Sequence, residues 1–386
     1  MPTPLPTPEA AALAASAALC QRLLTEIDSR GGWIPFSRYM ELALYTPGLG
    51  YYSGGAQKFG AAGDFITAPE LTPLFARALA LQVAEVMARS APQVIEVGAG
   101  SGTLAAELLL ALQAADALPE HYRILELSAE LRQRQAHTLA ARAPQLADRV
   151  AWLERLPEKF SGLVLGNEVL DAMPVDIVAW RPEGIVVRGV TRAAAGDAVF
   201  AWSDRPAQGV LLEAAQALQL EAPYVSEIGL AQRAWVGAWG CILEQGAVLL
   251  IDYGYAQAEY YHAQRDRGTL LCHYRHHHHE DPFWLPGLND ITAHVDFTAI
   301  AAAAHDAGLC VAGYTGQARF LLNCDITSAL ADLQSQGDRL YLSAARAVGK
   351  LLSPEDMGEQ FKVIALTRGI AQALLGFRQG DRCHAL

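Results

Sequence analysis

Residues Val94 to Leu104 read V-I-E-V-G-A-G-S-G-T-L. A short run rich in Val and Ile that breaks at Gly98, Ala99, Gly100, Ser101 and Gly102 suits a buried parallel strand turning sharply into a helix. Leu104, Leu108 and Leu109 carry the apolar face of that helix. Glycine is needed at such a turn because a side chain would keep a ligand off the backbone, and because φ can be positive there. Amides exposed at the helix start attract an anionic group. The Gly-x-Gly-x-Gly spacing differs from the Gly-x-Gly-x-x-Gly of dinucleotide folds, since Thr103 and Leu104 fill the places where that third glycine would fall. The stretch therefore locates a nucleoside-type cofactor and leans away from NAD. A plain strand-to-helix turn is the competing reading.

The chain has 386 residues, which suits two domains or one core with large insertions, and 52% of them are hydrophobic, enough for a sizeable core. A net charge of −12 argues against a basic, phosphate-tracking surface, so no nucleic-acid partner is expected. Six cysteines, Cys20, Cys241, Cys272, Cys310, Cys324 and Cys383, are scattered without C-x-x-C spacing. They suggest reduced thiols in a cytoplasm rather than a zinc site or a disulfide framework. The start, M-P-T-P-L-P-T-P-E, lacks the charges of a signal or transit peptide. No uninterrupted apolar run of about 18 residues suggests a membrane span. The alanine load is that of a bacterial chain, and a monomer or homodimer is expected.

Thr7-Pro8-Glu9 is a helix start, and that helix should run to about Ser29. A second helix is expected over Ser37–Tyr45 and a third from Pro69 to about Arg89. Between them lies a long loop, Gly48 to Thr67, rich in Gly and Tyr. From Pro92 strands and helices alternate, which implies a parallel sheet covered on both faces. The expected strands are Val94–Val97, Tyr122–Leu127, Val150–Leu153, Leu163–Leu165 and Ala247–Ile251. Between the last two fall a β-hairpin, Asp176–Val190, turning at Pro182-Glu183-Gly184, and a helix near Ile228–Trp239. Residues Tyr253–Ala293 read as irregular and aromatic. A helix at Phe297–Ala307, a strand at Val311–Tyr314, a helix at roughly Ser328–Val348 and a last strand at Phe361–Leu366 complete the chain.

Glu126 closes the second strand, 24 residues after Gly102, where an acid can accept hydrogen bonds from both ribose hydroxyls of a nucleoside; a solvated or helix-capping glutamate is the plainer reading. The fourth strand runs straight into Asn167-Glu168-Val169-Leu170-Asp171-Ala172-Met173-Pro174. Because that strand should lie beside the first, where open sheets reverse their winding order, Asn167 and Glu168 face the glycine turn. Asp252, ending the fifth strand, stands next to them.

The glycine loop, Glu126, N-E-V-L-D-A-M-P-V and the closing strand together resemble the MidA-like family of class I S-adenosylmethionine-dependent methyltransferases. The segments G-L-G-Y-Y, G-D-F-I-T-A-P-E, I-D-Y-G-Y, R-G-T-L, D-I-T-A-H-V-D-F-T and M-G-E-Q-F-K-V extend the resemblance from about Gly31 to Leu366. It implies an α/β, Rossmann-like fold with a seven-stranded, mostly parallel sheet. Residues 1–90 would form a helical N-terminal extension and 91–175 with 240–386 the methyltransferase core. Insertions at 176–239 and 253–296 would form a substrate-side subdomain. Mitochondrial members of the family are protein arginine methyltransferases that act on a subunit of respiratory complex I during assembly. The implied partner is thus a protein, modified at a side chain and conceivably at arginine. The alternative is an assembly or chaperone-like factor that keeps the cofactor site.

The implied cofactor is S-adenosylmethionine, held by Gly98, Ala99, Gly100, Gly102, Glu126, Leu127 and Asn167, with Asp64, Phe65 and Thr67 of the N-terminal loop closing over it. Such chemistry needs alignment of a nucleophile with a methyl group rather than a metal or a covalent residue. A guanidinium arrives charged and would be gripped by carboxylates. Glu168 is the first choice, against a contact to the cofactor's amino group, and Asp171 or Asp252 the second. A helix cap for Asp171, a strand-end hydrogen bond for Asp252 and a helix cap for Thr67 are the plainer readings. The run His276-His277-His278-His279 reads as a surface loop rather than a metal tract, because four adjacent imidazoles cannot face one ion. His276 and His279 match polar positions of the family and are candidates to meet a substrate. Trp235 and Trp239, four apart, mark one buried helix face.

Overall fold

The computed structural model describes residues 5–54, 67–194, 196 and 198–386. The change of pattern at Pro92 does produce a sheet. Its strands β1 (Gln93–Val97), β2 (His121–Leu125), β3 (Val150–Leu153), β4 (Phe160–Asn167), β5 (Leu243–Tyr255), β6 (Cys310–Gly316) and β7 (Phe361–Arg368) form one hydrogen-bonded path, β6-β7-β5-β4-β1-β2-β3. From β5 to β3 all neighbours are parallel, whereas β7 runs antiparallel to both β5 and β6. The sheet counts eight strands, the eighth being the two-residue Val295–Asp296 off this path. The chain steps outward through β1, β2 and β3, then returns to the other side of β1 with β4. That reversal opens a crevice at the carboxyl ends of β1 and β4. Val97 is level with Gly166 and Ile251 with Asn167, so these ends stand at one height.

Each of the two compact units has its own apolar core. Unit 1 comprises 1–65, 170–232 and 258–295, and unit 2 comprises 66–169, 233–257 and 296–386. In unit 2, α4 (Pro73–Arg89) buries Phe75, Leu79, Val83 and Val86 in the same core as Leu104, Leu108, Leu163 and Leu249. The expected third helix is in fact two. A four-residue helix, Ala68–Leu71, stops at Thr72, whose extended φ of −165° is what a following proline favours. Thr72 then caps α4, its side chain accepting the Leu74 amide at 3.3 Å. The helix expected near Ser328–Val348 is likewise divided, into Ile326–Ala331 and Asp338–Leu352, by a 3₁₀ turn and by Gly337 at φ +118°.

Unit 1 is built from α1 (Ala10–Ser29), α2 (Phe36–Tyr45) and two antiparallel sheets. The hairpin Asp176–Arg181 and Gly184–Arg192 turns where expected. Ile34–Pro35, Phe200–Pro206 and Tyr224–Ile228 complete a five-stranded sheet around it. The region read as irregular is partly ordered: β5 continues to Tyr255, and Leu271–Tyr274, His277–His279 and Asp290–Thr292 make a three-stranded sheet. By length and composition α1 is the one helix among the described residues apolar enough to cross a membrane. Its Leu19, Leu23, Leu24 and Ile27 are buried against Phe36, Tyr39, Ile177 and Val190.

A carboxylate interrupts the apolar centre of unit 2. Glu96 of β1 is 2% exposed and accepts the Tyr122 hydroxyl at 2.6 Å. Burial pushes its carboxyl up to about 7, a rise that the bond from Tyr122 only moderates. The unfolded chain therefore ionises first, and stability is lost as pH rises from about 4.5 through about 7. Glu96→Gln should remove this dependence, worth on the order of 3 kcal/mol. Urea denaturation at pH 5 and pH 8 checks it: a difference between the two pH values that survives unchanged in the variant would place the effect elsewhere.

Candidate cofactor and active site

The turn after β1 uses its glycines as conformation demands. Gly98, Gly100 and Gly102 lie at φ +64°, +52° and +83°. At Gly102 a Cβ would sit 2.9 Å from the Cα of Gln135, so both the backbone angle and the neighbouring helix exclude a side chain. Gly102 is also the residue from which α5 (Thr103–Ala114) starts.

Sequence reading overlooked Gln135, and it organises this side of the site. It lies on α6 (Ala129–Arg142), in line with buried Leu131 and Leu139, and a polar residue on that apolar stripe was the available signal. Its Nε2 donates to Glu126 Oε2 at 3.0 Å and to the Gly100 carbonyl at 3.2 Å, while its Oε1 accepts from Trp152 Nε1 at 2.9 Å. Glu126 Oε1 accepts the Ser128 amide at 2.9 Å. Burial raises the Glu126 carboxyl, and these donors oppose that rise. With the Leu127 amide these make three donors against about four acceptor sites on a carboxylate, so Glu126 keeps capacity for a ligand hydroxyl. Leu127, next in the chain, is 75% exposed, an unusual placement for a leucine beside a buried acid.

Across the crevice, the Glu168 amide donates to the Ile251 carbonyl at 2.8 Å, and Glu168 adopts a left-handed φ of +55°. That angle is uncommon for a residue with a Cβ and marks a constrained position. Asn167 Nδ2 donates to Glu168 Oε1 at 3.0 Å. Asn167 Oδ1 is buried with no hydrogen-bond partner. Asp252 is 1% exposed, and its oxygens accept the amides of Val169 at 3.1 Å and Tyr253 at 2.9 Å. Its carboxylate thus ties the exit of β4 to the last residues of β5, which continues to Tyr255.

Unit 2 therefore brings together Gly98, Ala99, Gly100, Gly102, Glu126, Leu127, Asn167, Glu168 and Asp252. Asp171 belongs to unit 1, where it is buried in a turn and its carbonyl accepts the Ala293 amide at 3.1 Å. No helix starts there, so it is not a helix cap. Thr67 occupies the N-cap position of Ala68–Leu71 without a side-chain capping bond. Asp64 and Phe65 lie outside the described residues. The histidine run is a hairpin: Arg275 and His276, at φ +46° and +62°, make its turn. His279 Nε2 lies 3.2 Å from Asn289 Oδ1, and its ring meets Trp284 edge-on. His273 is held down to about 4 by burial and by His278 and His279. Among the described residues no group of three potential ligands is placed to hold a metal ion. Trp239 is buried as expected, but Trp235 is half-buried, their rings 5.8 Å apart.

Comparison with known proteins identifies the family and its cofactor. A family model of S-adenosyl-L-methionine-dependent methyltransferases matches residues 76–315. A Burkholderia thailandensis protein, crystallised with S-adenosyl-homocysteine, is 53% identical, with a TM-score of 0.95 over 99% of this chain and 100% of that one. The chain belongs to the MidA-like methyltransferase family. A second Burkholderia thailandensis structure is 52% identical with a TM-score of 0.93, covering 99% and 100% of the two chains. The Danio rerio mitochondrial protein named protein arginine methyltransferase NDUFAF7 is 30% identical over 87% of this chain and 83% of its own length. Its Drosophila melanogaster homolog is 28% identical over 97% and 91%.

The cofactor of this methyltransferase is S-adenosylmethionine. The residues present fit it: a turn with three glycines at positive φ, acceptor capacity left on Glu126, and the unpartnered Asn167 Oδ1. Gln135→Leu, which keeps the bulk and removes three hydrogen bonds, should weaken S-adenosylhomocysteine binding by about tenfold. Calorimetry checks this; unchanged affinity would show that Glu126 and the turn are held without Gln135.

Proposed function

We propose that this methyltransferase transfers a methyl group to a protein side chain, the arginine guanidinium, on a class I, Rossmann-like core. The strand order supports that core: five parallel strands flanked by an antiparallel β7 and by β6. The relatives named as protein arginine methyltransferases support the substrate class, through their cover of most of this chain. We further propose that Gly98, Ala99, Gly100 and Gly102 seat the amino-acid end of the cofactor, Glu126 the ribose and the exposed Leu127 a face of the adenine, with Thr67 on the wall.

When bound, S-adenosylmethionine supplies an electrophilic methyl on a sulfonium. The chain's own residues hold the nucleophile in line with it and manage charge. The observation that carries the reading is Glu168: a carboxylate kept in a strained backbone conformation at the carboxyl end of β4, oriented by Asn167 Nδ2. A carboxylate so held grips a guanidinium through charge-assisted bonds and localises its positive charge away from the attacking nitrogen. It also accepts the proton that the nitrogen must shed once methylated. Asn167 Oδ1 offers one further acceptor to an N–H. Asp252 acts as a positioning residue, through the amides of Val169 and Tyr253.

The test is transfer of labelled methyl from S-adenosylmethionine into a lysate of cells lacking this protein, with mass spectrometry of the labelled product. Methylarginine in a protein is expected. Glu168→Gln should lower turnover about 10²- to 10³-fold, the range for loss of one aligned electrostatic group, with S-adenosylhomocysteine affinity nearly unchanged. Label on a small molecule or on another side chain would overturn the arginine assignment. No label above the Glu168→Gln control would point to an assembly factor instead.

A further inference from the structure

Glu70 was not singled out by sequence, and it stands against the glycine turn. It lies on the short helix Ala68–Leu71, half-buried, and its Oε1 accepts the hydroxyl of Ser101, the residue between Gly100 and Gly102. Ser101 Oγ is itself fixed, 2.9 Å from Thr103 Oγ1 and accepting the Thr103 amide at 3.3 Å. The carboxylate is therefore anchored to the turn at a position set by the start of α5.

A negative charge is the opposite of what a phosphate-binding turn calls for. A pyrophosphate beside Glu70 would meet like charge at short range, in a setting less screened than water. The other acids around the turn are engaged. Glu96 accepts from Tyr122, and Glu126 accepts from Ser128 and Gln135. Glu70 uses Oε1 for Ser101, one hydrogen bond that leaves its carboxylate with further acceptor capacity. The amino-acid end of S-adenosylmethionine carries a carboxylate, suited to the amides at the start of α5, and an ammonium, suited to an acid.

We propose that Glu70 recognises the α-ammonium group of the cofactor and, by the same charge, turns dinucleotides away from the glycine turn. This rests on the identity of the cofactor and is independent of the arginine acceptor. Ser101 serves as the positioning residue that aims the carboxylate.

Calorimetry on the full chain tests it with two ligands: S-adenosylhomocysteine, and 5′-methylthioadenosine, which keeps the adenosine and the sulfur but lacks the amino acid. Glu70→Gln is expected to weaken S-adenosylhomocysteine at least tenfold and to leave 5′-methylthioadenosine within twofold. Ser101→Ala should show the same selective loss to a smaller degree, and it carries the test if Glu70→Gln does not fold. An equal loss for both ligands would make Glu70 a structural support of the turn, and an unchanged S-adenosylhomocysteine affinity would remove it from the site; either overturns the proposal. Failure of the unmodified protein to bind S-adenosylhomocysteine would strike the cofactor assignment itself.

Discussion

The placement of β4 between β1 and β5 is the constraint on which the site depends. Parallel pairing on both edges brings the carboxyl ends of β1 and β4 level with each other and with Ile251 of β5, and the ladders continue past the strands: Gly98 donates to Leu125, Glu126 to Leu153 and Glu168 to Ile251. Each strand exit is thus tied to its neighbour by a backbone bond before any side chain is considered. The glycine turn, Glu126 and Glu168 follow as successive consequences of that alignment. A one-residue slip of β4 would turn Asn167 to the opposite face and take the Glu168 amide off the Ile251 carbonyl.

Much of this was legible from periodicity. Val150–Leu153 matches its expected bounds, and β1, β2, β4 and β5 exist where buried strands were expected, though the observed ones are longer or end sooner. Strand existence follows from apolar runs; strand ends depend on ladder partners far away in sequence, which no local pattern carries. Phe200–Pro206 and Tyr224–Ile228 escaped for the same reason, since each pairs with the hairpin rather than with an adjacent segment. The breaks at Thr72 and Gly337, by contrast, were written in Pro73 and in glycine, and a stricter reading of breakers would have placed them.

The acids of unit 2 show why type and position do not by themselves give role. Glu96, Glu126, Glu168 and Asp252 all stand at or near strand ends, yet one is buried against a tyrosine, one is cradled by an amide and Gln135, one is oriented by its neighbour Asn167, and one is taken up by backbone amides. The difference lies in donors supplied by other elements. Gln135 lay outside every motif, and Glu70 closed the segment G-D-F-I-T-A-P-E without a role, because their partners, Gly100, Glu126, Trp152 and Ser101, converge only in three dimensions.

The bond from Trp152 to Gln135 gives the protein an optical property. An indole on an outer strand shares one amide side chain with the Glu126 carboxylate and with the carbonyl of the glycine turn. Any shift of that amide on filling of the crevice changes the polarity around the indole N–H. Trp152 is in this way a native fluorophore bonded to the side chain that joins Glu126 to the glycine turn, and a displacement of Gln135 would register in the colour and intensity of its emission.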